Sequence, residues 1–177
     1  MEDTRNVVDK YKGQSVEAIS DDLDANGVEL EIAIENTERD FNMGTIVRSA
    51  NAFGVRHVHV IGRKQWNKRG AMMTDKYLHV HYYPDVSSFV DAMQQRQKVI
   101  IAVDNIEDSV PLGSVSLPVN AVLVFGQEGP GISSELAAVA QQIVAIEQFG
   151  STRSVNVGVA AGIVMYVWIQ KHRLQRP

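Results

Sequence analysis

The run Ala121-Val122-Leu123-Val124-Phe125-Gly126-Gln127-Glu128-Gly129-Pro130-Gly131-Ile132-Ser133 reads as an apolar strand that breaks off into a glycine-rich turn. An unbroken apolar run bounded by Gly and Pro fits a strand buried on both faces, the pattern of a parallel sheet. Two other runs end in the same way. Residues 28–34 lead to Asn42-Met43-Gly44-Thr45-Ile46-Val47-Arg48, and Ile143-Val144-Ala145-Ile146 leads to Gly150-Ser151-Thr152-Arg153-Ser154-Val155-Asn156. Open α/β sheets hold their ligands at the carboxyl ends of strands. Three such ends in one small chain predict one composite site.

Outward from these breaks, strand-like runs at 28–34, 57–61, 79–83, 98–103, 119–125 and 142–146 alternate with helix-like runs at 43–53, 86–97, 133–141 and 154–171. That alternation predicts an α/β fold with a mainly parallel sheet flanked by helices. Residues 1–27 read as a short helical extension, with Val16, Ile19 and Leu23 on one face and a stop at Asn26-Gly27. Residues 28–177 form the main domain. A chain of 177 residues with 45% hydrophobic and 21% charged residues suits one soluble domain with a sizeable core. The absence of cysteine excludes a disulfide framework and thiolate metal sites. Met1-Glu2-Asp3-Thr4-Arg5 does not resemble a secretory signal, so a cytoplasmic location is expected. The apolar stretch 155–169 is shorter than the roughly 20 residues a membrane span needs. It reads as a buried helix, with Gly158 and Gly162 making one small face for close packing against the core or a partner subunit.

A net charge of −4 argues against indiscriminate nucleic-acid binding. Local charge differs: Arg63-Lys64-Gln65-Trp66-Asn67-Lys68-Arg69 is a basic patch around an aromatic, and Lys171, Arg173 and Arg176 add charge at the C-terminus.

Each break has an ordinary structural reading. Asn42 suits an N-cap, Arg48 a solvated helix face, and Ser154 the N-cap of the last helix. Asn156 at the head of a buried helix is costly unless its amide is bonded. The turn 126–131 is neither a dinucleotide fingerprint nor a Walker loop. Glu128 within it would repel a phosphate, so the turn suits a neutral or cationic ligand. His57 and His59, then His79 and His81, alternate along two strands and share a face. No carboxylate accompanies them at ligand spacing, and the alternating valines favour the wetter face of a sheet over a metal site.

Together the three segments resemble the signatures of the SpoU/TrmH family of SPOUT RNA methyltransferases. Asn42 through Gly54 is similar to the first signature, Phe125 through Ser133 to the second, and Ile146 through Ala160 to the third. They occur in the family's order, and the similarity covers residues 28–171. The resemblance implies a sheet whose C-terminal part threads through a loop as a deep trefoil knot, binds S-adenosylmethionine and forms a homodimer. It implies methyl transfer to a ribose 2′-hydroxyl of tRNA or rRNA, without a metal. Asn42, Arg48, Glu128, Ser154 and Asn156 match the family's catalytic positions. Phe125, Gly126, Glu128, Gly131, Ile146, Gly150 and Val155 match its cofactor cradle. Arg48, Arg63, Lys64, Lys68, Arg69 and Arg153 are the expected RNA contacts.

Arginine is effectively always protonated, and neutralising one at pH 7 would cost on the order of 7–9 kcal/mol. Arg48 is therefore expected to clamp phosphate and stabilise the developing alkoxide rather than to act as the base. The chain departs from the family's commonest pattern at Glu147-Gln148, where many members carry Pro-Met, at Gly158 in place of a frequent serine, and at Arg153, shared with only part of the family. The competing expectation is a knotted RNA-binding protein without catalysis.

Overall fold

The computed structural model describes residues 7–37, 42–127 and 129–175. Seven strands form one sheet: β1 (Glu31–Asn36), β2 (His57–Gly62), β3 (His79–Tyr83), β4 (Val99–Val103), β5 (Val110–Pro111), β6 (Ala121–Phe125) and β7 (Gln142–Ala145). Their order is β3-β2-β1-β6-β4-β7-β5, and every neighbouring pair is parallel. The α/β, parallel reading of the sequence holds.

Among the described residues there are five α-helices, α1 (Val16–Asn26), α2 (Met43–Ala52), α3 (Val86–Gln95), α4 (Ser134–Val139) and α5 (Val157–Ile169), and α2–α5 cover the sheet. Strand alternation assigns the faces. Ile32, Ile34 and Leu123 point into a core shared with α2 and α5, whereas Ala33, Val122 and Val124 meet α3 and α4. The helices start where the sequence supplies caps. Ser15, Asp85 and Ser133 each accept the backbone N–H three residues on. α1 docks through Ile19 against Tyr11 and Tyr77. No helix among the described residues is long and apolar enough to cross a membrane.

The structure differs from the sequence reading at three places. β1 begins at Glu31 rather than residue 28, because Val28 makes only a single bridge to Val55. β5 is a two-residue edge strand ending in a proline, too short to leave a periodic signal. The last helix begins at Val157, not 154: Asn156, rather than Ser154, caps it, its Oδ1 accepting from Gly158 N–H at 3.0 Å and Val159 N–H at 3.3 Å.

β7 lies between β4 and β5, so residues 104–120, which connect β4 to β6, straddle it. The chain leaving β7 has to pass that span to reach α5, which packs beside α2. This insertion is consistent with the threaded knot the resemblance implies.

Candidate active site

The carboxyl ends of β4, β6 and β7 open into a cleft of about 370 Å³. Its wall is apolar at Val144, Ala145, Ile146, Val155 and Val157, and polar groups come from the loops that follow each strand. A cleft of this size and mixed lining is ordinary for a cofactor site.

The second loop is folded back on itself. Gln127 and Gly131 exchange two backbone hydrogen bonds of 3.1 Å. A Cβ on Gly126 would overlap the backbone of Gly131 and Ile132, so glycine alone permits this close approach. Two strands hold the loop from below. Glu35 at the end of β1, itself buried, accepts Ser133 N–H at 2.8 Å. Asp104, directly after β4, accepts Ile132 N–H at 2.8 Å.

The third loop is tied in two places. Asn105 donates its side-chain amide to the Arg153 carbonyl at 3.1 Å, and Glu147 accepts Gly113 N–H at 2.9 Å. Glu147, a departure from the commoner family residue, thus joins the loop to the span that straddles β7. Gln148 lines the cleft, and its Oε1 is buried with no hydrogen-bond partner.

The first and third breaks meet directly: Asn156 Nδ2 donates to Asn42 Oδ1 at 3.2 Å. The expectation that Asn42 caps α2 is therefore corrected, for its side chain makes no cap hydrogen bond and faces α5 instead. Gly158 sits against Thr45 of α2, where an added Cβ would lie 3.1 Å from the Thr45 methyl. Of the small face predicted on the last helix, Gly158 thus packs within the chain. A Cβ on Gly162 would meet open space.

Of the expected site residues, Gly126, Gly131, Ile146, Ser154, Val155 and Asn156 line the cleft. Three others stand off that lining. Phe125 is wholly buried within the sheet and Gly150 stands free on the loop surface, so neither side of the cleft is formed by them. Arg48 is exposed on α2, outside the cleft wall, and Glu128 lies outside the described residues. Arg176 lies outside them as well.

Arg63, Lys64, Lys68, Arg69 and Arg153 are exposed. Trp66 is not: it is buried in the core, with Lys68 Nζ 5.4 Å from its ring centroid and paired to Asp75 at 2.8 Å. The patch is therefore a row of surface cations over a core aromatic, not a stacking platform. It is seated beside the site because Gly44 in α2 lets the chain at 70–71 approach. A Cβ there would stand 2.7 Å from Ala71 N.

Sequence reasoning missed Asp104 and Asn105. The signal was available: Val103-Asp104-Asn105 is a fourth apolar run breaking into polar residues, lacking only the glycines that drew attention to the others.

A second polar cluster lies at the opposite, amino ends of β1–β3. The strand register sets His57 beside His79 and His59 beside His81. His59 is fully buried, contrary to its reading as part of a wetter face, and a carboxylate, Glu31, does accompany it. His59 Nε2 donates to Glu31 at 2.7 Å and its Nδ1 meets Tyr83 OH at 3.0 Å, while His57 Nδ1 and His81 Nε2 share a hydrogen bond of 3.0 Å. Arg96 grips Glu31 with two bonds of 2.6 and 3.2 Å, and Lys98 stands 3.2 Å away. Burial pushes the Glu31 carboxyl up, but the bonds from His59 and Arg96 outweigh it and hold the group well below the usual range. Burial, reinforced by neighbouring cations, depresses His57 and His81 to about 4. Among the described residues, no group of three or more His, Asp or Glu is arranged to hold a metal ion.

The fold and cleft have known counterparts. The chain is 26% identical over 155 residues to a tRNA (guanosine(18)-2′-O)-methyltransferase of Thermus thermophilus, covering 83% of this chain and 77% of the relative. The structure of the A. aeolicus TrmH/SpoU tRNA modifying enzyme superposes with a TM-score of 0.78 at 24% identity, over 90% of this chain and 83% of the other. The SpoU methyltransferase AviRb of Streptomyces viridochromogenes, solved in complex with the cofactor AdoMet, gives 0.72 at 20% identity over 80% and 59%. The sequence pattern of the SpoU rRNA methylase family matches residues 29–166. The chain belongs to the SpoU rRNA methylase family.

Proposed function

We propose that the chain is a cytoplasmic, S-adenosylmethionine-dependent 2′-O-ribose methyltransferase acting on structured RNA, tRNA or rRNA. The observation that carries this reading is the convergence of the glycine turn 126–131, the 144–148 wall and the Asn42–Asn156 pair on one cleft. Family membership and the methyltransferase names of its relatives agree with it.

The residues fit the cofactor. Apolar Val144, Ile146 and Val155 offer a wall for an adenine, and the described lining carries a carboxylate and no cationic side chain, which suits a sulfonium. When bound, the cofactor supplies an electrophilic methyl group. Gly126, Gly131 and Ile146 cradle it, with the backbone around Phe125 and Gly150 shaping the loop ends. Asn42, Ser154 and Asn156 orient the ribose, and Glu128 adds negative charge. Arg48 would clamp an RNA phosphate and stabilise the negative charge developing on the ribose 2′-oxygen as its proton passes to solvent. Positioning the hydroxyl in line with the methyl supplies much of the remaining acceleration. Arg63, Lys64, Lys68, Arg69 and Arg153 hold the RNA backbone beside α2.

The protein acts as a homodimer through α5, on which Val159, Ile163 and Tyr166 expose apolar surface. Such a patch is a usual sign of an interface. Residues 1–27 form a short extension, of which the described helix α1 docks beside the 74–77 turn.

The test is transfer of labelled methyl from S-adenosylmethionine to total tRNA and rRNA. Incorporation into RNA is expected. Cofactor binding without transfer to any RNA would favour the non-catalytic RNA-binding reading instead.

A further inference from the structure

Asp104 is the one ionisable side chain among the described residues that line the cleft. It is held by contacts on three sides. Its own N–H continues the β4–β7 ladder to Val144 O at 3.1 Å. Its Oδ1 accepts Asn105 N–H at 2.7 Å and its Oδ2 accepts Ile132 N–H at 2.8 Å. Gly131, at φ +76°, leaves the room: a Cβ there would overlap Asp104 Oδ2. The chain thus excludes a side chain at one position in order to bring a carboxylate against the loop. Backbone N–H groups fix a carboxylate in place without neutralising its charge. No ion pair to Asp104 occurs among the described residues. That leaves its negative charge directed at whatever occupies the cleft.

We propose that Asp104 is the charge-selecting residue of the cofactor cleft, favouring the cationic methyl donor over the neutral thioether left after transfer. The inference rests on the cofactor reading above. S-adenosylmethionine carries one positive charge more than S-adenosylhomocysteine, at the sulfonium. A fixed carboxylate in a partly desolvated cleft attracts the former more strongly than the latter. The same residue would then assist exchange: once the methyl has left, the attraction is reduced and the product is released for fresh donor. Asp104 takes no part in bond making. It is a specificity-determining group that also positions the loop through Ile132.

Both roles respond to substitution, and ligand charge separates them. Calorimetric titration of the wild type, Asp104→Asn and Asp104→Ser with S-adenosylmethionine, sinefungin (an ammonium in place of the sulfonium) and S-adenosylhomocysteine reads each affinity. Asp104→Asn is expected to weaken both cationic ligands about tenfold and the neutral thioether less than about threefold. Asp104→Ser, which leaves room for water on Ile132 N–H, is expected to give the same change in ratio. The ratio of two affinities from one preparation does not depend on the folded fraction, so a destabilised variant still decides the matter. Equal losses for all three ligands would make Asp104 a loop anchor only and overturn the proposal, as would unchanged affinities. A wild type that binds none of the three would overturn the cofactor reading itself.

Discussion

The two ends of the sheet collect polar groups in opposite ways. At the amino ends of β1–β3 lies a hollow of about 660 Å³, larger than the cleft, lined by Asp24, Glu29 and Glu31 and by Arg56, Arg96 and Lys98. Its charges answer one another. Arg56 pairs with Asp24 at 2.7 Å, Arg96 and Lys98 with Glu31, and His59 with Glu31. At the carboxyl ends, Asp104 and Glu35 bind backbone N–H groups of a loop, and the cleft carries no internal counter-charge among the described residues. Size does not distinguish a ligand site from a framework. Whether the polar groups satisfy one another, or are fixed by backbone and left facing space, does.

Arg48→Ala probes the carboxyl end most severely. Methyl transfer is expected to fall by about 10²–10³ in kcat, the cost of removing a donor to a developing oxyanion, with cofactor affinity nearly unchanged. Parallel loss of both in transfer and binding assays would make Arg48 structural. The amino end should answer with stability instead. Glu31→Gln leaves Arg96, Lys98 and the buried His59 without their shared partner and is expected to cost about 3 kcal/mol in urea unfolding, the low end for a broken buried pair because Arg96 reaches solvent. Cofactor affinity of that variant should match the wild type, and a large change would join the two ends functionally.

Gly126→Ala forces a methyl into the folded-back loop and is expected to weaken cofactor binding by about tenfold, an overpacking cost of about 1–3 kcal/mol. A variant binding normally would show that the loop opens when the ligand enters. The amino end also sets a pH dependence of stability. Folded His57 and His81 stay neutral to about pH 4, whereas unfolded histidine takes up its proton near its ordinary value of 6.5. The unfolded state therefore binds more protons between those values, so stability is full above pH 6.5 and falls as pH drops toward 4. Urea midpoints across this range test it, and His57→Gln should flatten the slope. A flat wild-type profile would mean the rings titrate normally.

Much of this was legible in the chain. The runs at 57–61, 79–83, 98–103 and 119–125 place four strands within two residues of their ends, because 98–103 and 119–125 are almost continuously apolar and 57–61 and 79–83 alternate with a period of two. The loops were legible because glycine is needed where Gly126 meets other backbone and where Gly131, at positive φ, meets the Asp104 carboxylate. What escaped depends on register, which one strand does not carry. His57 and His79 become neighbours, and Glu31 the buried partner of His59, only once β1, β2 and β3 are aligned. Asn42 read as a cap and Asn156 as an amide in need of a partner, yet Asn156 is the residue whose side chain caps its helix; the contact between the two, 114 positions apart, exists only through the packing of α2 on α5. Asp104 was overlooked because its loop partner supplies the glycine.

The most direct measurement is a crystal structure of the protein with S-adenosylhomocysteine. The ligand is expected at the carboxyl ends of β4, β6 and β7, between the 126–131 turn, the 144–148 wall and Asn156. Density in the hollow bounded by Arg56, His57 and Arg96, with that cleft empty, would contradict the distinction drawn between the two ends of the sheet.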